Sequence, residues 1–152
     1  MLLVAGGEGL KQILLAEDNP ADVYLIREAL NLQAFEFHLN VVSDGEEALQ
    51  YVERKGKYQG APDPDLIILD LNLPKSDGSD VLRRIRERSD MNRIPVVILT
   101  SSDSPRDRSI VAKLGADSYL TKPSDLDAFL ALGETFVRFV NPVRDQGRGC
   151  TN

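Results

Sequence analysis

Asp65-Leu66-Ile67-Ile68-Leu69, followed by Asp70-Leu71-Asn72-Leu73-Pro74, is the stretch on which the fold turns. Four apolar residues in a row, without alternation, suit a strand buried on both faces inside a parallel sheet. The run stops on a carboxylate, Asp70. Pro74 cannot continue a central strand, and Asp77-Gly78 signals a turn. Asp70 is therefore expected at the carboxyl end of a central strand, where open α/β sheets carry their ligand crevices. Taken alone, it could as well be an Asp that caps a helix or a turn.

Working outward, the chain alternates strand and helix five times. Upstream, Gln12 to Ala16 is a short apolar strand ending on Glu17-Asp18. Asn19 is a good N-cap and Pro20 fits the first helical position. The helix from there to about Asn31 puts Val23, Ile26 and Leu30 on one face. Phe37 to Val42 is a second strand, and Asp44-Gly45 leads into a helix with Ala48, Leu49 and Val52 inward. Gly56 to Pro64 is a polar loop. Downstream, a helix from Gly78 to about Arg88 turns Val81, Leu82 and Ile85 inward. Ile94 to Leu99 is another buried run, ending on Thr100-Ser101-Ser102. Ser104-Pro105 starts a helix, with Asp107 as a capping-box partner and Gly115 as its C-terminal glycine. Asp117 to Leu120 is a strand ending on Thr121-Lys122-Pro123, and Ser124 caps a last helix reaching about Val140. This order predicts a parallel sheet with helices on both faces and right-handed crossovers. Residues 1–11 read as a loose arm, 12–140 as one domain, and 141–152 as a polar tail.

The bulk numbers exclude several classes. The chain has 152 residues, 42% hydrophobic and 28% charged, with a net charge of −6. A net negative chain without a basic stripe argues against nucleic acid or an anionic membrane as partner. One cysteine, Cys150, and one histidine, His38, leave no disulfide and no Cys- or His-pair metal site. Leu2-Leu3-Val4-Ala5 is too short for a signal segment, so a cytoplasmic location is expected.

Four strand ends carry Glu17-Asp18, Asp70, Thr100 and Lys122. In a parallel α/β sheet they share one edge. Three carboxylates held together repel unless a cation joins them. Oxygen ligands without His or Cys favour a hard ion, Mg²⁺ first. A lysine and a hydroxyl opposite such an ion suit a phosphoryl group, with a carboxylate as its nucleophile. Blander readings exist for each: Asp18 as a cap, Thr100 as a plain strand end, Lys122, Arg83, Arg84, Arg86 and Arg88 as solvated, Tyr119 as a half-buried strand tyrosine.

With these residues in place, the sequence resembles the receiver domains of bacterial two-component response regulators, over about residues 12 to 139. The acidic pair is Glu17 and Asp18. The phosphoacceptor with its Pro and Asp-Gly is Asp70, Pro74, Asp77 and Gly78. The hydroxyl is Thr100, and the Lys-Pro is Lys122-Pro123. The resemblance implies a doubly wound, flavodoxin-like (βα)5 sheet of order 2-1-3-4-5. It implies Mg²⁺ held by Asp70, Asp18 and the main-chain oxygen of Asn72, with Glu17 acting through water. It also implies a cis Lys122-Pro123 bond, a phosphoryl site flanked by Thr100 and Ser101, and Tyr119 as the switch aromatic. Leu73 and Ser76 depart from it, standing where methionines are common.

A finer similarity, to stand-alone receivers paired with bacterial phytochromes, rests on Tyr51 to Tyr58, Gly60-Ala61-Pro62, Asp70 to Pro74 and Asn92-Arg93-Ile94-Pro95. The function so implied is a switch, not a metabolic enzyme. A sensor histidine kinase, of phytochrome type on the finer similarity, donates a phosphoryl group to Asp70. The chain catalyses only its own phosphorylation and dephosphorylation, and signals to a downstream protein by contact. The alternatives are an Asp-nucleophile phosphatase and a phosphate-independent pseudo-receiver. The phosphatases carry a second Asp two residues after the nucleophile, where this chain has Asn72, which cannot shuttle a proton.

The last helix suggests a homodimer. Leu126, Phe129, Leu130, Phe136 and Val137 should cover the sheet, while Ala128, Leu132 and Phe139 form a second stripe that a surface helix does not need. Cover of that stripe by Leu2 to Val4 or by the tail around Val143 is the alternative.

Overall fold

A computed structural model describes residues 9–140. The expectations for the amino-terminal arm through Glu8, and for residues 141–152 with Val143 and Cys150, lie outside the described residues. The strands are β1 (Lys11–Ala16), β2 (Phe37–Val42), β3 (Leu66–Leu69), β4 (Val96–Thr100) and β5 (Ser118–Thr121). The helices are α1 (Pro20–Asn31), α2 (Gly45–Val52), α3 (Gly78–Glu87), α4 (Pro105–Leu114) and α5 (Leu126–Val140), with a 3₁₀ turn at Gly56–Tyr58. All strand pairs are parallel, in the order β2-β1-β3-β4-β5. This is the doubly wound parallel sheet that the alternation predicts, in the strand order that the resemblance implied.

The unbroken apolar run of β3 has a direct cause in the pleat. Leu66 and Ile68 enter one core and Ile67 and Leu69 the other, because successive strand side chains point to opposite faces. Ile13 and Leu15 of β1 and Val97 and Leu99 of β4 join the first core, which Ile26, Leu30, Phe129 and Phe136 close from α1 and α5. The second is closed by Ala48, Val52, Val81, Leu82, Ile85 and Val111 from α2, α3 and α4. Each buried Leu or Ile contributes about 1.5–3 kcal/mol relative to an exposed one. Tyr51 is also in this second core, and its hydroxyl donates to the Pro62 carbonyl at 3.0 Å.

Helix starts follow the capping residues, with three corrections. Asn19 Oδ1 accepts from Ala21 N–H and Asp44 Oδ1 from Glu47 N–H, as an N-cap should. Ser104 caps α4 through the Arg106 and Asp107 N–H groups, but the Asp107 carboxylate does not close a capping box. It accepts instead from the Ser102 hydroxyl at 2.6 Å. In α5 the cap is Asp125, which accepts from Ala128 N–H, and not Ser124, because the helix begins at Leu126. Leu126 itself is 56% exposed and does not cover the sheet. Phe129, Gly133, Phe136 and Val140 form the buried face.

Two features of packing were not anticipated. A Cβ at Gly133 would lie 2.3 Å from the Ala29 carbonyl oxygen, so only glycine lets α5 approach α1 this closely. Arg86 is not on a solvated face. Its guanidinium donates to the carbonyls of Gly115, Asn92 and Ile94 and to the Asp117 carboxylate, at 2.8–3.2 Å. Gly115 itself is the left-handed C-cap of α4 (φ 99°), as the sequence led us to expect.

Candidate phosphoryl-accepting site

The parallel ladder continues one residue past the strand ends and fixes the backbone of the site. Glu17 N–H donates to Val42 O, Asp70 N–H to Ala16 O and Lys122 N–H to Thr100 O, at 2.8–3.1 Å. Three strand-end side chains are thus delivered to one edge. The α3 N-terminus closes in beside them because residue 78 is glycine: a Cβ there would sit 2.3 Å from Asp70 O.

Asp70 is 4% exposed, Glu17 2% and Thr100 0%. Asp70 Oδ1 accepts from the Asn72 backbone N–H at 3.0 Å, and Oδ2 accepts from Lys122 Nζ at 2.9 Å. Glu17 Oε2 accepts from Asn19 N–H at 3.1 Å, and its Oε1 lies 2.9 Å from Lys122 Nζ. Lys122 also donates to Asp22 Oδ2 at 2.8 Å. Sequence reasoning missed Asp22. The available signal was a fourth carboxylate one helical turn beyond the acidic pair, on the turn of α1 nearest the strand ends.

Electrostatics follow from this packing. Burial pushes the Glu17 carboxyl up to about 7 against the Lys122 and Asn19 hydrogen bonds, with Asp70 adding repulsion. Burial acts to lower the Lys122 ammonium, but Asp22, Glu17 and Asp70 outweigh it and hold it above its ordinary range. The lysine is therefore a fixed cation facing the Asp70 carboxylate.

Asp18 is exposed, yet one oxygen each from Glu17, Asp18 and Asp70 lie within 4.8 Å of one another. Two of these carboxylates are buried and all are hard oxygen donors, so the set fits a divalent cation of the Mg²⁺ type. Thr100 Oγ1 accepts from Asn72 Nδ2 and Ser102 N–H, both at a long 3.4 Å. Ser101 is exposed and outside this network. Tyr119 is turned inward, its hydroxyl donating to the Ser102 carbonyl at 2.9 Å. The Arg108 guanidinium lies over its ring, 4.4 Å from the centroid.

One expectation is corrected here: there is no cis peptide bond among the described residues, so Lys122-Pro123 is trans. The trans form of an X-Pro bond is favoured by about 0.5–1 kcal/mol. The Lys122 backbone is already aimed by its bond to Thr100 O, and its side chain reaches three carboxylates from there.

The family model of the response regulator receiver domain matches residues 13–132. The chain belongs to that family. This receiver is 42% identical over 116 residues to response regulator Rcp1 of Synechocystis, covering 76% of the chain and 79% of Rcp1. It is 38% identical to the transcriptional regulatory protein TrcR of Mycobacterium tuberculosis, of which it spans only 42%. Among solved structures, the receiver resembles the phosphorylated cyanobacterial phytochrome response regulator RcpA. The TM-score is 0.82 at 40% identity, covering 86% of this chain and 94% of RcpA. The Mn²⁺-bound form of Rcp1 gives the same TM-score at 38% identity, covering 88% and 96%.

Proposed function

We propose that the chain is a phosphorylation-driven switch whose phosphoacceptor is Asp70. One observation carries this reading. A nearly buried carboxylate is held between a backbone N–H and a lysine ammonium, beside two further carboxylates able to share a cation. In the reaction, an Asp70 oxygen attacks the phosphorus of a phosphohistidine on a sensor kinase. The P–N bond breaks, its electron pair goes to the imidazole, and an acyl phosphate forms. Lys122 holds negative charge on the phosphoryl oxygens, and Asn72 N–H orients the attacking carboxylate. A Mg²⁺ held by Asp18, Asp70 and the Asn72 main-chain oxygen, with Glu17 acting through water, would neutralise charge on the carboxylates and the phosphoryl group. Hydrolysis returns the carboxylate when water attacks phosphorus and the bond to Asp70 breaks.

Thr100 is placed to follow the new phosphoryl group. Its long hydrogen bonds to Asn72 and Ser102 are cheap to exchange for a better one. The Ser102 carbonyl is the acceptor of Tyr119, so the β4–α4 loop links the two residues. A donor kinase of the phytochrome class is supported by the likeness to RcpA. The reading includes cytoplasmic action and a homodimer through the α4–β5–α5 face, where Ala128 is exposed, while Leu132 and Phe139 are half-buried and pack against the chain's own α1–α5 core.

Intact-mass measurement with a small phosphodonor and Mg²⁺ tests the assignment. The wild type should gain one phosphoryl group and Asp70→Asn none; an adduct of unchanged yield in Asp70→Asn overturns it. A phosphotransfer profile against the host's histidine kinases tests the pairing. Sedimentation with Leu132→Asp and Phe139→Asp tests the dimer face.

A further inference from the structure

The acidic pair, Asp70, Thr100 and Lys122 account for the family pattern, but one more side chain grips the lysine. Asp22 rises from the first turn of α1, and its Oδ2 is 2.8 Å from Lys122 Nζ. The same ammonium meets Glu17 Oε1 and Asp70 Oδ2 at 2.9 Å each. The ammonium donates hydrogen bonds to Asp22 and Asp70 and forms an ion pair with Glu17, so its three N–H groups face three carboxylates. The group of carboxylates able to share a cation consists of Glu17, Asp18 and Asp70, without Asp22. Metal and phosphoryl group therefore draw on the other two partners of Lys122, and Asp22 is the one that no reacting species needs. The pair is also shielded, with side chains 18% and 12% exposed, unlike a solvated surface bridge.

We propose that Asp22 is a positioning residue that anchors the Lys122 ammonium against the phosphoacceptor and thereby sets how fast Asp70 takes a phosphoryl group. This rests on the reading of Asp70 given above. The direction of the effect follows from the geometry. Lys122 touches Asp22 and Asp70 at once, so the anchor does not hold the ammonium away from the reacting carboxylate. Without it, a compact charge on a flexible four-carbon stem samples other rotamers.

The test is the rate of phosphorylation by acetyl phosphate at saturating Mg²⁺, followed over donor concentration. Asp22→Ala should lower the maximal rate about tenfold, the lower end for a partly shielded charge-assisted hydrogen bond, with donor half-saturation little changed. Asp22→Asn keeps an acceptor oxygen and should recover part of the loss. An equilibrium cycle with beryllofluoride as the phosphoryl mimic separates anchoring from general damage. Asp22→Ala should weaken its binding in the wild-type background and have no further effect beside Lys122→Ala. An unchanged or raised rate, a loss confined to donor half-saturation, or equal losses in both backgrounds would overturn the proposal. If the wild type itself takes no phosphoryl group, the reading of Asp70 fails and the proposal with it. A phosphorylated wild type with an unaffected Asp22→Ala overturns the proposal alone.

Discussion

Gly133→Ala sets two physical effects of opposite sign against each other. In the interior of a helix that nothing touches, replacing Gly by Ala stabilises by about 1 kcal/mol. Here the new methyl would lie 2.3 Å from Ala29 O and 2.9 Å from Ala29 C, both backbone atoms that no rotamer change can move aside. Relief requires α1 and α5 to part by on the order of 1 Å, and a gap of that size forfeits a quarter to a half of each dispersion contact across it. Overpacking of this kind costs about 1–3 kcal/mol. The neighbours Ile26, Phe129 and Phe136 are fully or nearly buried, so the upper part of that range applies. The net expectation is a loss of about 2 kcal/mol, or about 6–10 °C in Tm for a domain of this size. Urea titration followed by far-UV circular dichroism gives the sign directly. A midpoint that rises would show that α1 and α5 do not approach as described.

Other outcomes follow from named contacts. Arg86→Ala should destabilise by about 2 kcal/mol, since it strips donors from carbonyls on several elements, and Arg86→Lys should not restore it, lacking the planar fork; paired urea melts check both. Burial acts to raise the Glu47 carboxyl, but the Tyr58 hydroxyl, the Ser43 N–H and Lys57 outweigh it and hold the group below its ordinary 4.5. Its folded value lies below the unfolded one, so its contribution is present above about pH 4.5 and is lost as pH falls through the folded value. Glu47→Gln should therefore flatten the acid limb of a stability–pH profile; an unaltered limb would refute the link. Asp18→Ala should abolish Mg²⁺-dependent phosphorylation while leaving the urea midpoint within error, because Asp18 is exposed. Normal phosphorylation in excess chelator would refute the metal requirement.

The sheet was legible because buried parallel strands leave an unambiguous trace. Leu66 to Leu69 and Val96 to Leu99 are apolar without alternation, and each ends on a residue that chemistry explains better than packing does. Asp70, Glu17, Thr100 and Lys122 could be placed on one edge for that reason alone. Contacts that depend on reach rather than on strand position were not legible. Asp22 and Arg86 both lie on helix faces where a charged residue is expected to be solvated, and only the packed structure brings each to its partners. The α5 stripes differ from the expected ones at Leu126, which is exposed, and at Leu132 and Phe139, which pack against the core, because helical spacing specifies a face but not where the helix overhangs the sheet. The residues alone favour the trans Lys122-Pro123 bond that the structure shows, and only the resemblance supplied the other isomer.

The Arg86 clasp bears on how a signal can travel. Both Nε and Nη2 donate to Gly115 O, the last turn of α4, while the same guanidinium grips the carbonyls that lead into β4 and the aspartate that leads into β5. The opposite end of α4, at Ser104, is tied by its own cap, by the Ser102–Asp107 hydrogen bond and by Arg108, which lies over the Tyr119 ring and donates to Thr121 Oγ1 at 3.3 Å. One end is clasped to the strand entrances through Gly115, and the other is joined to the β4–α4 loop and, through Arg108, to the Tyr119 and Thr121 side chains of β5. If Asp70 takes a phosphoryl group as proposed, a displacement of the loop at Thr100 would move the outer face that carries Arg106 and Ile110 most near Thr100 and least at the clasp.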